Sequence, residues 1–307
     1  MSRVTTPMPT ASPPPGNLLG RLRVFADDVK LHHAIFALPF ALLSAFLAAG
    51  GWPWVGQVLL ILACMFTART FAMALNRVLD ARLDALNPRT AGRAIPSGRA
   101  SWQFFAAIAA FCAAGFIIAA AGFYLVYFNP WPVVLAAPVL AFVAAYPLLK
   151  RFTRYCHYYL GICLALAPIC AWVAIAGRLA MPPVWMAAAV VCWTAGFDIL
   201  YACQDYQSDV AEGIHSIPAR VGIPAALWIS RATHVVCVCM LLALWASTRR
   251  LGTLYLIGVG IAAALLLVEH LLVKPNDLSK VNFSFFTING IISLVLGTLG
   301  IVNVLMT

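Results

Sequence analysis

Acidic residues are scarce in this chain. Ten Asp and Glu stand among 307 residues, and charged residues of all kinds amount to 10 %. A soluble domain carries about a quarter charged residues, so that class is excluded. Metal-cluster spacing is missing as well. The nine cysteines form no Cys-x-x-Cys pair and none sits at zinc spacing with His, so they read as small core residues and predict neither a disulfide framework nor a redox compartment. The opening "MSRVTTPMPTASPPPGN" has no apolar core and is rich in proline. It is expected to be a disordered tail, residues 1–20, rather than a signal peptide.

What remains is apolar. Hydrophobic residues make up 63 % of the chain, gathered into nine runs at roughly 32–50, 56–78, 102–123, 131–149, 157–177, 184–204, 224–246, 252–273 and 283–305. Most approach the ~20 residues that cross a bilayer. The expectation is an all-α polytopic membrane protein whose single domain, 21–307, has nine transmembrane helices.

The formal net charge is +10, which by itself suits either nucleic acid or a membrane surface. Its distribution decides. With the tail inside the cell and the spans alternating, the inner tail and loops, with Arg77 at a helix end, hold 15 of the 20 Lys and Arg. That asymmetry follows the positive-inside rule, and nucleic acid drops out as a partner.

The few acids are not scattered. In "NRVLDARLDALNPRTAGRAIPSG", Asn76, Asp80 and Asp84 recur every four residues, on one drifting helical face. In "FDILYACQDYQSDVAEGIHS", Asp198, Tyr201, Asp205 and Asp209 are likewise expected on one helical face, at i, i+3, i+7 and i+11. Polar helix ends collect carboxylates by chance, yet two Asp-x-x-x-Asp pairs on one side of an acid-poor protein need more than chance. The helix macrodipole disfavours carboxylates at a C-terminal end. A divalent cation offsets that cost. Asp oxygens suit Mg²⁺, which takes one or two carboxylates and completes its shell with water and phosphate. Two facing pairs therefore suit Mg²⁺ ions clamping a diphosphate. Arg89, Arg93, Lys150, Arg151 and Arg154 lie on the same side. For Lys150 and Arg151, phosphate binding stands beside the plain positive-inside reading.

These residues resemble the UbiA-type intramembrane prenyltransferases. Asn76, Asp80 and Asp84, then Pro88-Arg89-Thr90, Arg93 and Pro96-Ser97-Gly98, resemble the first signature of that family. "YPLLKRFT" (Tyr146–Thr153) resembles its fourth-helix element, and "DILYACQDYQSDVAEGIHSIPARVG" its second signature. One departure stands out: position 77 is Arg where many members have Asp. The chain is most similar to the 4-hydroxybenzoate polyprenyltransferase-like branch, which includes members of the futalosine route to menaquinone.

The resemblance implies helices ringed around a central cavity, a cytoplasmic cap made by the motif loops, and transfer of a polyprenyl group from its diphosphate to an aromatic acid in a bilayer, the bacterial inner membrane. It implies Mg²⁺ held by Asp80, Asp84, Asp205 and Asp209, with Asn76 as a neutral ligand. Lys150, Arg151, Arg77, Arg93 and Tyr146 are then expected around the diphosphate. Arg69 lies inside an apolar span, where charge is costly. It is assigned to the carboxylate of a small aromatic acceptor, with snorkelling or a structural pair to Asp198 as the other reading. Asp198 and Tyr201 are assigned to the acceptor hydroxyl or the cation. Glu269 and His270 read as an interfacial pair. From another class, a cation-coupled transporter also uses intramembrane acids, though near the midplane; a different UbiA-type reaction, prenylating haem, chlorophyll or a lipid, is the other alternative.

Overall fold

The computed structural model describes residues 17–29 and 36–307. Apart from an isolated bridge between Lys274 and Asp277, the regular structure among them is helical. α1 (Leu18–Val29) precedes α2 (Leu38–Ala49), α3 (Val55–Leu86), α4 (Trp102–Tyr127), α5 (Trp131–Leu149), α6 (Cys156–Ala176) and α7 (Met181–Ala202). Two short helices follow, α8 (Tyr206–Ala211) and α9 (Ile217–Val221), then α10 (Ile223–Ala246), α11 (Thr253–Leu272), α12 (Val281–Phe283) and α13 (Asn289–Met306).

The nine expected spans correspond in order to α2–α7, α10, α11 and α12–α13. Eight of them are long and apolar enough to cross a membrane, while α2 is shorter, at 12 residues. Most of the expected tail, residues 1–16, lies outside the described residues. Residues 18–20 already belong to α1, whose apolar positions Leu18, Leu22, Phe25 and Val29 recur at helical spacing.

The spanning helices are apolar on all sides because their outer faces meet lipid rather than water. Phe111 and Ile118 of α4 are 79 % and 72 % exposed. The interior divides in two. α7, α10, α11, α13 and α2 pack a solid core around Trp193, Tyr255, Leu244 and Leu296. The walls of a cavity of about 470 Å³ come from the start of α2 and from α3, α4, α5 and α6. The cavity therefore belongs to the N-terminal half of the bundle.

Close approach of α6 to α7 depends on Gly161. A Cβ built there would stand 2.5 Å from the Val191 carbonyl oxygen and 3.0 Å from its Cα. Backbone cannot yield as a flexible side chain can. Gly161→Ala is expected to destabilise the fold by about 1–3 kcal/mol, the usual cost of overpacking, read as a lower melting temperature of the solubilised protein. An unchanged melting curve would show that the two helices separate freely.

Glu269 and His270 are not an interfacial pair. Glu269 is 1 % exposed and accepts a hydrogen bond from Asn289 Nδ2 at 3.0 Å. Asn289 in turn accepts from Trp193 Nε1 at 2.7 Å, and His270 Nε2 lies 2.9 Å from His234 Nδ1. These polar groups tie α7, α10, α11 and α13 together, because a buried polar atom must find its partner within the protein.

Candidate active site

α3 has 32 residues, and at 1.5 Å per residue its length of about 48 Å exceeds the hydrocarbon thickness. Its C-terminal turns carry Asp80 and Asp84 past the apolar region. Beyond Leu86, the chain turns back through residues 87–101 in a series of tight turns. Thr90 Oγ1 donates to the Asp84 carbonyl at 3.1 Å, and Ser97 Oγ to the Arg93 carbonyl at 2.7 Å. Gly98, at φ +74°, lies in the left-handed region that favours glycine.

Asp80 and Asp84 are buried, 1 % and 5 % exposed. Lys150 Nζ donates to Asp80 Oδ2 at 2.6 Å, and Arg93 Nη1 to Asp84 Oδ1 at 2.7 Å. Arg151 donates to the Leu79 carbonyl at 2.6 Å and stands 3.5 Å from Asp80 Oδ1.

The second motif is not one continuous face. α7 gives way to a 3₁₀ turn, Cys203–Asp205. Its three-residue repeat breaks the helical phase that would align Asp198 with Asp209. The acids diverge accordingly. Asp198 meets His157 Nδ1 at 2.7 Å. His157 Nε2 accepts from the Ile217 amide at 3.2 Å, so the proton on Nδ1 points at Asp198. Asp209 accepts from Ser216 Oγ at 2.6 Å.

Asp205 Oδ1 accepts from Asn87 Nδ2 at 2.8 Å and from Arg89 Nε at 2.7 Å. Arg89 bonds the other carboxylate oxygen with its second arm and reaches the Tyr201 hydroxyl at 2.9 Å. Burial works against the Arg89 charge, yet the Asp205 carboxylate and Tyr201 hold its pKa above the ordinary value. Burial, then the neighbouring Asp209 charge, pushes the Glu212 carboxyl up. The His215 amide donates to the Lys150 carbonyl at 2.8 Å. The three motifs, remote in sequence, thus meet in one cap.

One placement differs from expectation, and one alternative pairing is not found. Arg77 turns to Asp28 in α1, with Nε 2.7 Å from Oδ2, which makes it a buried structural partner and takes it out of the set facing the diphosphate. Arg69 does not pair with Asp198, which is held by His157. Instead it lines the cavity, its Nε buried without a hydrogen-bond partner. Asn76 and Tyr146 also line the cavity. Asp28, Asn87 and His157 are site neighbours that sequence reasoning missed. One signal was legible: Arg77 in an apolar helix demands a counter-charge, and few acids were unassigned.

The donor set fits a hard divalent cation. Asp80 Oδ1 and Asp84 Oδ2 are buried acceptors with no hydrogen bond, a costly condition that a cation would relieve. Among the described residues no three His, Cys, Asp or Glu converge as a preformed metal cluster. One or two carboxylates per ion is the arrangement Mg²⁺ uses with phosphate oxygens.

Known proteins resemble this one in the same sense. The model of the UbiA prenyltransferase family matches residues 37–291. The 4-hydroxybenzoate octaprenyltransferase of Marinomonas sp. is 31 % identical over 209 residues, covering 66 % of this chain and 72 % of that protein. A UbiA homolog from Aeropyrum pernix K1 superposes with TM-score 0.78 at 30 % identity, over 89 % of this chain and 98 % of the other. A UbiA homolog from Archaeoglobus fulgidus, bound to GPP and Mg²⁺, shares the fold at TM-score 0.65 and 20 % identity, over 92 % and 100 % of the two chains. With the match running through every motif of the cap and through the cavity walls, the chain belongs to the UbiA prenyltransferase family.

Proposed function

We propose that this prenyltransferase moves a polyprenyl group from polyprenyl diphosphate to the ring of a small aromatic acid, with Mg²⁺, in quinone biosynthesis. The acceptor is 4-hydroxybenzoate or a dihydroxynaphthoate. One observation carries the reading: buried aspartates, Asp80 paired to Lys150 of the fourth-helix element and Asp84 to Arg93 of its own motif, sit beside an apolar cavity that holds an unpaired guanidinium nitrogen. The positive-inside rule puts this face in the cytoplasm.

Asp80 and Asp84 on one side, and Asp205 and Asp209 on the other, are the residues that would hold Mg²⁺. When bound, the metal draws negative charge from the diphosphate oxygens. The chain's own cations do the rest. Lys150, Arg93 and Arg89, which pair with Asp80, Asp84 and Asp205, would lend their charge to neutralise the leaving diphosphate. Arg151 adds its charge at the α3 end. Such preorganised charge is usually the largest catalytic contribution. The allylic C1–O bond breaks with its electron pair on the diphosphate. A ring carbon of the acceptor bonds to C1, and loss of the ring proton restores aromaticity. The apolar wall, with Phe116, Phe123 and Leu135, keeps water from the allylic cation. Arg69 binds the acceptor carboxylate, while Asn76 and Tyr146 line the same cavity.

The test is direct. Membranes holding the full-length protein, given Mg²⁺, labelled polyprenyl diphosphate and a panel of aromatic acids, are expected to form a prenylated acid and to stop when EDTA is added. Product formation indifferent to EDTA, or none with any aromatic acid, would sink the proposal. Ion-gradient-driven uptake into liposomes without prenyl product would favour the transporter.

A further inference from the structure

Asp28 lies outside the region that the family model matches, residues 37–291. It nevertheless makes three contacts into the cap. Its Oδ2 accepts from Arg77 Nε at 2.7 Å, its backbone carbonyl from Arg77 Nη2 at 3.0 Å, and its Oδ1 from the Ala94 amide at 2.6 Å. The two side chains are 3 % and 8 % exposed.

The chemistry of this arrangement is specific. A buried guanidinium without a counter-charge is strongly unfavourable, so Arg77 needs the Asp28 carboxylate. The second oxygen of the same carboxylate holds the loop at Ala94. The adjacent residue is Arg93, whose guanidinium reaches Asp84. One residue therefore pins both the α3 turn next to Asn76 and the loop bearing Arg89 and Arg93. α1 is itself docked by Phe25, whose ring centroid is 5.0 Å from that of Phe105, and by the buried Val29.

We propose that Asp28 is a positioning residue for the diphosphate half of the site. It fixes the 87–98 loop so that Arg89 and Arg93 face the two aspartate pairs. In its absence the loop loosens and the diphosphate is bound less well, while the acceptor pocket around Arg69, deeper along α3, keeps its shape. The Arg found at position 77 is then half of a strut, and α1 supplies the other half.

The kinetic arm of the test rests on the prenyl-transfer reading, and the proteolytic arm does not. The full-length protein is compared with Asp28→Ala, Asp28→Asn, the double variant Asp28→Ala/Arg77→Met, and Asp27→Asn at the exposed neighbouring position as control. Trypsin cleavage after Arg89, Arg93 and Arg99 is expected to quicken about tenfold in Asp28→Ala, the change that a loss of roughly 1.4 kcal/mol in local closure produces. It should stay at the wild-type rate in Asp27→Asn. KM for the prenyl diphosphate should rise about tenfold by the same arithmetic, with KM for the acceptor unchanged.

In the double variant no buried cation is stranded. Melting temperature should recover while KM for the diphosphate stays raised, because the Ala94 amide is still unpinned. A merely structural role predicts that both recover together, and that result would overturn the proposal. So would wild-type cleavage and KM in Asp28→Ala. If Asp28→Ala does not fold, the double variant and the near-isosteric Asp28→Asn decide. If the wild type transfers no prenyl group, the function proposed above fails, and cleavage alone judges Asp28.

Discussion

Asp80→Asn is expected to lower kcat for prenyl transfer by about 10³-fold, the scale on which removal of one strong electrostatic catalytic group acts. The side chain keeps its shape but loses the charge that a divalent cation needs, and its amide nitrogen would face Lys150 and Arg151. The effect on stability should be far smaller. Breaking a buried ion pair costs about 3–5 kcal/mol when the stranded partner is trapped. Lys150 is 31 % exposed and can turn to water, so about 1–2 kcal/mol is expected here. The double variant Asp80→Asn/Lys150→Met separates the two effects. It should regain melting temperature and regain no activity. If Asp80→Asn retains more than a tenth of the wild-type kcat, Asp80 does not hold the metal.

Arg69→Met is expected to lower kcat/KM for a carboxylated acceptor by about 10²-fold. A hydrogen bond to a charged group is worth about 1.5–3 kcal/mol, and its loss also leaves the acceptor carboxylate unpaired. A phenol of the same ring pattern without the carboxylate should be almost unaffected. Melting temperature should hold or rise, because Met removes a charge from an apolar wall. Arg69→Lys should fall between, keeping charge but losing the planar fork. Equal losses on the acid and the phenol would remove Arg69 from the acceptor site.

The order of the apolar helices followed from hydrophobic length alone, since a chain crossing hydrocarbon must satisfy every backbone group within a helix. The acids on α3 were also legible. A regular four-residue spacing keeps Asp80 and Asp84 on one face of an unbroken helix. The same reasoning failed past Ala202. A three-residue 3₁₀ turn there is invisible to periodicity, and it turns Asp209 towards Ser216 while Asp198, still on α7, faces His157. α1 escaped notice because its apolar stripe covers only four positions beside a proline-rich start. Arg77 was visible as an oddity, but its partner, 49 positions earlier, was not.

The amino-acid sequence by itself determined the class of protein, the approximate positions of its apolar spans, the uneven spread of its charge among the loops and the three motifs of the family resemblance. Each of these is set by composition or by spacing within one helix or loop. The tertiary structure alone decided which cation meets which aspartate, that the cavity is walled by α2–α6, and that Arg77 belongs to Asp28. Ion pairs and cavities form between elements far apart in the chain. Their partners are chosen by packing and by the cost of burying an uncompensated charge, neither of which any local pattern records.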